Sequence, residues 1–208
     1  MAEPKKRVTR RKTTEPEFKR EHVEVENESV GDIIARAVTI KQGGARDIKK
    51  ADEVTITQGG VNAIDAKNVT VVQGGVVQAN ANTLSIKQGG AVRVEAEDVS
   101  VTQGGVLLLQ AENAQITSGG AVAVMATNIA VESGGAQYML ARESIRVEQG
   151  GAMVMAASRI EIENGGAVLL LAREVHGNVR VLLDRRGALV FGIAVGIVMG
   201  LIGLARRK

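Results

Sequence analysis

A Gly-Gly pair recurs nine times in this chain, at residues 43, 59, 74, 89, 104, 119, 134, 150 and 165. The step is 15 residues, lengthened to 16 at the first and seventh intervals. Fixed spacing on that scale means that one short unit is stacked on itself, because a single unit cannot bury its apolar face alone. A helix of about 10 residues does not fit inside such a period beside a strand and its turns, which excludes leucine-rich and other βα repeats. All-β coils remain.

The coil Val54-Thr-Ile-Thr-Gln-Gly-Gly-Val-Asn-Ala-Ile-Asp-Ala-Lys-Asn68 shows how the unit is built. Val54 and Ile56 alternate with Thr55 and Thr57, the period of two of a strand with one buried face. The inward pair recurs as Val69/Val71, Leu84/Ile86, Val99/Val101, Ala114/Ile116, Ile129/Val131, Ile145/Val147 and Ile160/Ile162. Gly-Gly then supplies a turn that calls for positive φ and close passage of backbone over backbone. The second arm keeps an apolar residue at Ile64, Ala79, Val94, Leu109, Val124, Met139, Met155 and Leu170. Two places later stands an invariant Ala, from Ala66 to Ala172, marking where opposing walls come closest.

Each coil is thus expected to hold two short strands and two turns. The predicted fold class is all-β: a single-domain parallel β-helix, or β-solenoid, of about nine 15-residue coils over residues 31–183. Stacked at about 4.8 Å per coil, such a rod is roughly 43 Å long. Gly31–Ala37 and Val175–Asp184 depart from the repeat and are expected to cap its ends. The residues before the glycines are mostly amides (Gln42, Gln58, Gln73, Gln88, Gln103, Gln149, Asn164). Stacked in line they can form an axial ladder, and parity turns them inward or into the corner.

Composition narrows function. With no Cys, no Trp, one Tyr and two Phe, the core must come from small and β-branched side chains, and disulfides are excluded. His22 and His176 stand far apart, which argues against a His-based metal or general-base site. No nucleophile, base or metal cluster suggests catalysis, so the chain is expected not to be an enzyme and to need no cofactor, metal or small-molecule substrate.

Charge is concentrated in residues 1–30, expected to be a disordered tail. Lys5, Lys6, Arg7, Arg10, Arg11 and Lys12 form a basic patch suited to anionic lipid or nucleic acid, and six Glu follow in residues 13–30. At the other end, residues 184–208 read as a membrane anchor with basic flanks. Gly187–Ala205 has no charge over 19 residues and as a helix would span about 28 Å, the thickness of a bilayer core. Gly192, Gly196 and Gly200, four apart, would give that helix one smooth face for helix–helix packing. With no apolar run after the basic cluster, a signal peptide is not expected, and the β-helix is expected on the cytoplasmic side of a single span.

One trend runs along the rod. Outward positions of the second arm are polar early (Asp65, Gln78, Asn80, Arg93, Glu95) and apolar from the fifth coil. Leu108, Met125, Tyr138, Leu140, Val154, Leu169 and Leu171, with Ala123 and Ala156, would form an exposed strip fit for self-association.

A parallel β-helix of short regular coils, with charged tails and a membrane tie, resembles the bactofilins, the polymer-forming bacterial cytoskeletal proteins. The likeness covers roughly residues 31–183 and rests on architecture; bactofilins usually reach the membrane through an N-terminal segment, whereas this chain would use Gly187–Ala205. The strip, the glycine face and the apolar run together lead to the expectation of a tail-anchored structural scaffold whose β-helix self-associates laterally, as a homo-oligomer, at the membrane surface. The alternative is a membrane-anchored docking module that recruits a heterologous protein or an anionic partner. The mass of the full-length chain in mild detergent separates the two.

Overall fold

A computed structural model describes residues 18–181, with side chains from residue 21 to 177. The elements are β1 (Phe18–Glu26), β2 (Ser29–Val30), β3 (Ile33–Gln110) and β4 (Asn113–Val181), all in one parallel sheet. Strands of 78 and 69 residues are one ribbon wound on itself. Each residue pairs with the residue one coil further on, as Val25 with Ile40 and Val99 with Ala114. The fold is the expected β-solenoid, and the described residues contain no helix. Pairing continues through the corners, so the expected two strands and two turns per coil merge into a continuous ribbon.

The core is a stack of five inward positions per coil. In the coil from Val54 these are Val54, Ile56, Val61, Ile64 and Ala66, none more than 7% exposed. The steps between them are two, five, three, two and then three residues to Val69, so the coil is three-sided. The column Ile64, Ala79, Val94, Leu109, Val124, Met139 and Met155 is buried throughout, and Leu170 is partly buried. No polar side chain is buried among the described residues. Tyr138, the one tyrosine of the chain, lies outside the core.

The glycine turns explain why the period is so strict. The first glycine of each pair has positive φ in seven successive copies from Gly59 to Gly150, which defines about seven uniform turns within the nine pairs. A Cβ on Gly74 would land on the carbonyl oxygen of Gly59, and the same holds all along the column from Gly43 to Gly165. Any side chain there would collide with backbone of the coil before. The second glycine is looser from Gly60 to Gly120, where a Cβ on Gly75 would sit 3.8 Å from the Gly90 carbonyl oxygen.

The two 16-residue steps have separate causes. Between the inward residues Ile48 and Ala51 stand Lys49 and Lys50, where the next coil has Asp65 alone between Ile64 and Ala66. Lys50 takes the extra step at φ 58°, a left-handed bulge that restores the inward phase by Ala51. The second extra residue lies at the corner Arg142-Glu143-Ser144, and Ile145 is again buried.

Three expectations change. The tail expected over residues 1–30 is strand from Phe18, with Val25 buried under Ile40 and Val23 packed on the core. Its Val-x-Val alternation fills a coil interior despite the Glu residues facing out. Gly31–Ala37 is therefore no end cap: Ile33 and Ala35 are buried beneath β1. The Gln residues before the glycines are exposed and point outward, because the corner follows directly after them. The basic patch at residues 5–12 and the apolar run Gly187–Ala205, with Gly192, Gly196 and Gly200, lie outside the described residues.

Candidate self-association surface

Outside, three neighbouring columns occupy the second arm. Position by position, the first runs Arg46, Asn62, Val77, Val92, Leu107, Val122, Gln137, Met153, Val168. The second contains Gln78, Arg93, Leu108, Ala123, Tyr138, Val154 and Leu169, and the third Asn80, Glu95, Gln110, Met125, Leu140, Ala156 and Leu171. The first turns apolar at Val77, the second at Leu108 and the third at Met125. The apolar face is thus a wedge, one column wide near the N-terminal end and three wide near the C-terminal end.

Exposure varies within it. Leu107, Met153 and Leu171 are more than half exposed, and Tyr138 and Leu140 nearly half. Leu108, Met125, Val154 and Leu169 are half-buried, leaning against their neighbours in the stack. Alongside the first column, an open groove of about 870 Å³ follows the second glycines from Gly60 to Gly120, walled by Val77, Val92, Leu107 and Val122. Large apolar surface is thus left open to water beside a trough without side chains.

Sequence reasoning missed the first column. It assumed alternation through the second arm, which would make only every other residue face out. The chain bends after position 92, so Val92 and Arg93 both face solvent between the buried Ala91 and Val94. The signal lay in the three-residue step between those two inward residues.

Polar ladders and ion pairs cover the remaining corners. Gln42 donates its amide to Gln58 (3.0 Å), Gln58 to Gln73 (3.0 Å), Gln73 to Gln88 (2.9 Å) and Gln88 to Gln103 (3.1 Å). That ladder stops at Gln103, since Ser118 and Ser133 follow in line. A second ladder takes over at another corner. Asn113 donates to Asp98 (2.9 Å), Asn128 to Asn113 (3.2 Å) and the Ser144 hydroxyl to Asn128 (2.7 Å).

Ion pairs link coils in both halves: Lys41 with Glu24 at 2.6 Å, Lys67 with Asp52 at 2.7 Å and Asp32 with both Arg46 and Lys49 near the N-terminal end, and Arg146 with Glu163 at 3.5 Å and Arg159 with Glu174 at 3.3 Å near the C-terminal end. Hydrogen bonds from Lys49 and Arg46 hold the Asp32 carboxyl below its ordinary range. The Lys41 ammonium does the same to Glu24, and Lys67 to Asp52. The partners respond in kind, with Lys41 and Lys49 raised. All these groups are exposed except the partly buried Asp32, so they trim and orient the surface more than they hold the fold.

His22 and His176 are exposed at opposite ends of the described chain, and no cluster of three or more His, Cys, Asp or Glu occurs among the described residues. Likewise no helix among the described residues is long and apolar enough to cross a membrane. Comparison with protein-family models, curated proteins and solved structures gave no match.

Proposed function

We propose that this chain is a structural protein: a membrane-tethered β-solenoid that associates side by side with further copies of itself through the wedge of apolar columns. The observation that carries the reading is the asymmetry of the rod's exterior. A repeat fold could keep every coil polar outside at no cost to its core, yet one face alone becomes apolar, and progressively so. Gly187–Ala205 supplies the tether as a single span, and Gly192, Gly196 and Gly200 add helix–helix contact within the bilayer. Lys5, Lys6, Arg7, Arg10, Arg11 and Lys12 add attraction to anionic lipid. In this reading the chain is a scaffold of the bactofilin kind on the cytoplasmic side, working without a catalytic site.

The test is the mass of the full-length protein in mild detergent, wild type beside Tyr138→Asp/Leu140→Asp. Wild type is expected to be a defined oligomer and the double variant to fall to monomer with its β-sheet circular dichroism unchanged. An unchanged oligomer would remove the wedge from the assembly. A Gly196→Ile variant then measures the share contributed by the span. A monomeric wild type would instead favour a module that docks a heterologous partner.

A further inference from the structure

The first outward column is apolar from Val77 to Val168 with one exception, Gln137. Each amide from Gln42 to Gln103 has a partner in line with it, but Gln137 sits between Val122 and Met153, neither of which can answer an amide. Its side chain is exposed at the middle of the face proposed above as the contact between copies. A polar group in that position is a defect for simple hydrophobic adhesion, since covering it without a partner leaves its hydrogen bonds unmade.

A periodic surface has a problem that Gln137 can solve. Two rods with the same axial repeat fit almost equally well when one is slid by a whole coil, so apolar contact alone does not choose a register. Building on the self-association reading, we propose that two copies pair in parallel and in register about a twofold axis along the rods, with Gln137 meeting Gln137 of the second copy. Each amide then donates to the carbonyl of the other. Sliding by one coil sets Gln137 against Val122 or Met153, and reversing one rod about Gln137 carries the two C-terminal ends, with the tethers proposed beyond them, to opposite ends of the pair. With both tethers in one membrane, only the in-register parallel pair satisfies it, as a single buried Asn fixes register in coiled coils.

Two further features agree. A twofold axis beside the first column lays the second column of one copy over the glycine trough of the other, so Leu108 and Ala123 meet the trough at Gly105 and Gly120. Leu107 and Met153, on the first column to either side of Gln137, are more than half exposed and would be covered by the second copy.

The test is a charge swap in the full-length chain, read as mass in mild detergent. Gln137→Glu and Gln137→Lys are each expected to weaken the dimer by about tenfold or more, because like charges then face each other on the axis. Mixing the two variants is expected to restore pairing as a heterodimer, to within about threefold of wild type. Gln137 is exposed, so both variants keep the fold, which circular dichroism checks. Single variants that still dimerise like wild type would overturn the proposal. So would weakened variants that mixing fails to rescue, which would leave self-association standing with another register. If wild type itself is monomeric, the underlying reading fails first and this proposal with it.

Discussion

The N-terminal and C-terminal coils share an interior and differ in almost everything outside it. Ile56 and Ile160 are both inward residues of the first arm, in neighbouring columns, and are both fully buried. Both ends carry ion pairs, yet on the second arm the coils near Ile56 carry Asp65 and Gln78 where those near Ile160 carry Met153, Val154 and Leu171. The Gln ladder serves the first half, and the Asp98–Ser144 ladder begins where it ends. The difference teaches that stacking fixes the inward columns and the glycine seam alone. The outward columns are free to drift, and the proposed contact between copies is one reading of their directional change.

The seam gives the largest expected effects and a contrast between the halves. Gly74→Ala forces a Cβ onto the Gly59 carbonyl oxygen at positive φ and is expected to cost more than about 4 kcal/mol, seen as loss of cooperative melting. Its neighbour Gly75→Ala has 3.8 Å of room and is expected to melt within about 1 kcal/mol of wild type. In the C-terminal half the second glycine is also closed, since a Cβ on Gly151 would meet the Gly166 carbonyl oxygen. Gly151→Ala should therefore behave like Gly74→Ala, and an innocuous Gly151→Ala would show that the tightening of the seam along the rod is absent.

Next come the cores. Ile56→Ala and Ile160→Ala each empty a fully buried site and are expected to cost about 2–5 kcal/mol in urea unfolding. Near-equal values would establish that the halves differ only outside. A much smaller cost at Ile160 would place part of the C-terminal stability in contacts between copies. Cutting one rung of the amide ladder with Gln73→Ala should cost about 0.5–1.5 kcal/mol. The same substitution at Gln137 should leave the melting of the isolated chain unchanged.

The smallest effect is electrostatic. Asp32, Glu24 and Asp52 have folded-state values below their ordinary ones, so their stabilising contribution is complete above about pH 4 and fades as pH falls through the lowered values. Lys41 and Lys49 run the other way, losing theirs only as pH rises through values above the ordinary lysine range. Hydrogen exchange, corrected for its intrinsic pH dependence, should accelerate in the N-terminal coils below about pH 4 before it does in the C-terminal coils. Uniform acceleration would mean that these pairs are inert.

Periodicity made the solenoid readable, because the inward pairs and the invariant Ala column needed only sequence spacing. Three things were not readable that way. β1 was hidden by its Glu residues, which outnumber the Val23 and Val25 that enter the core. The outward Gln side chains depend on where the corner falls, which parity counting does not supply. The first apolar column depends on a bend that puts Val92 and Arg93 outward in succession, a departure from alternation visible only as an irregular spacing of buried residues.

The bulge at Lys50 and the corner at Arg142–Ser144 have a meaning for the rod's dimensions. Each absorbs one residue and returns the chain to phase, whereas a residue gained or lost inside a face would turn every later side chain of that face inside out. Axial extent is consequently quantised: excising a block of 15 residues such as 75–89 removes one step of about 4.8 Å and leaves every column continuous. The molecule works as a ruler whose gradations are glycine pairs, holding its two ends apart by a distance that can be edited in whole units and in nothing finer.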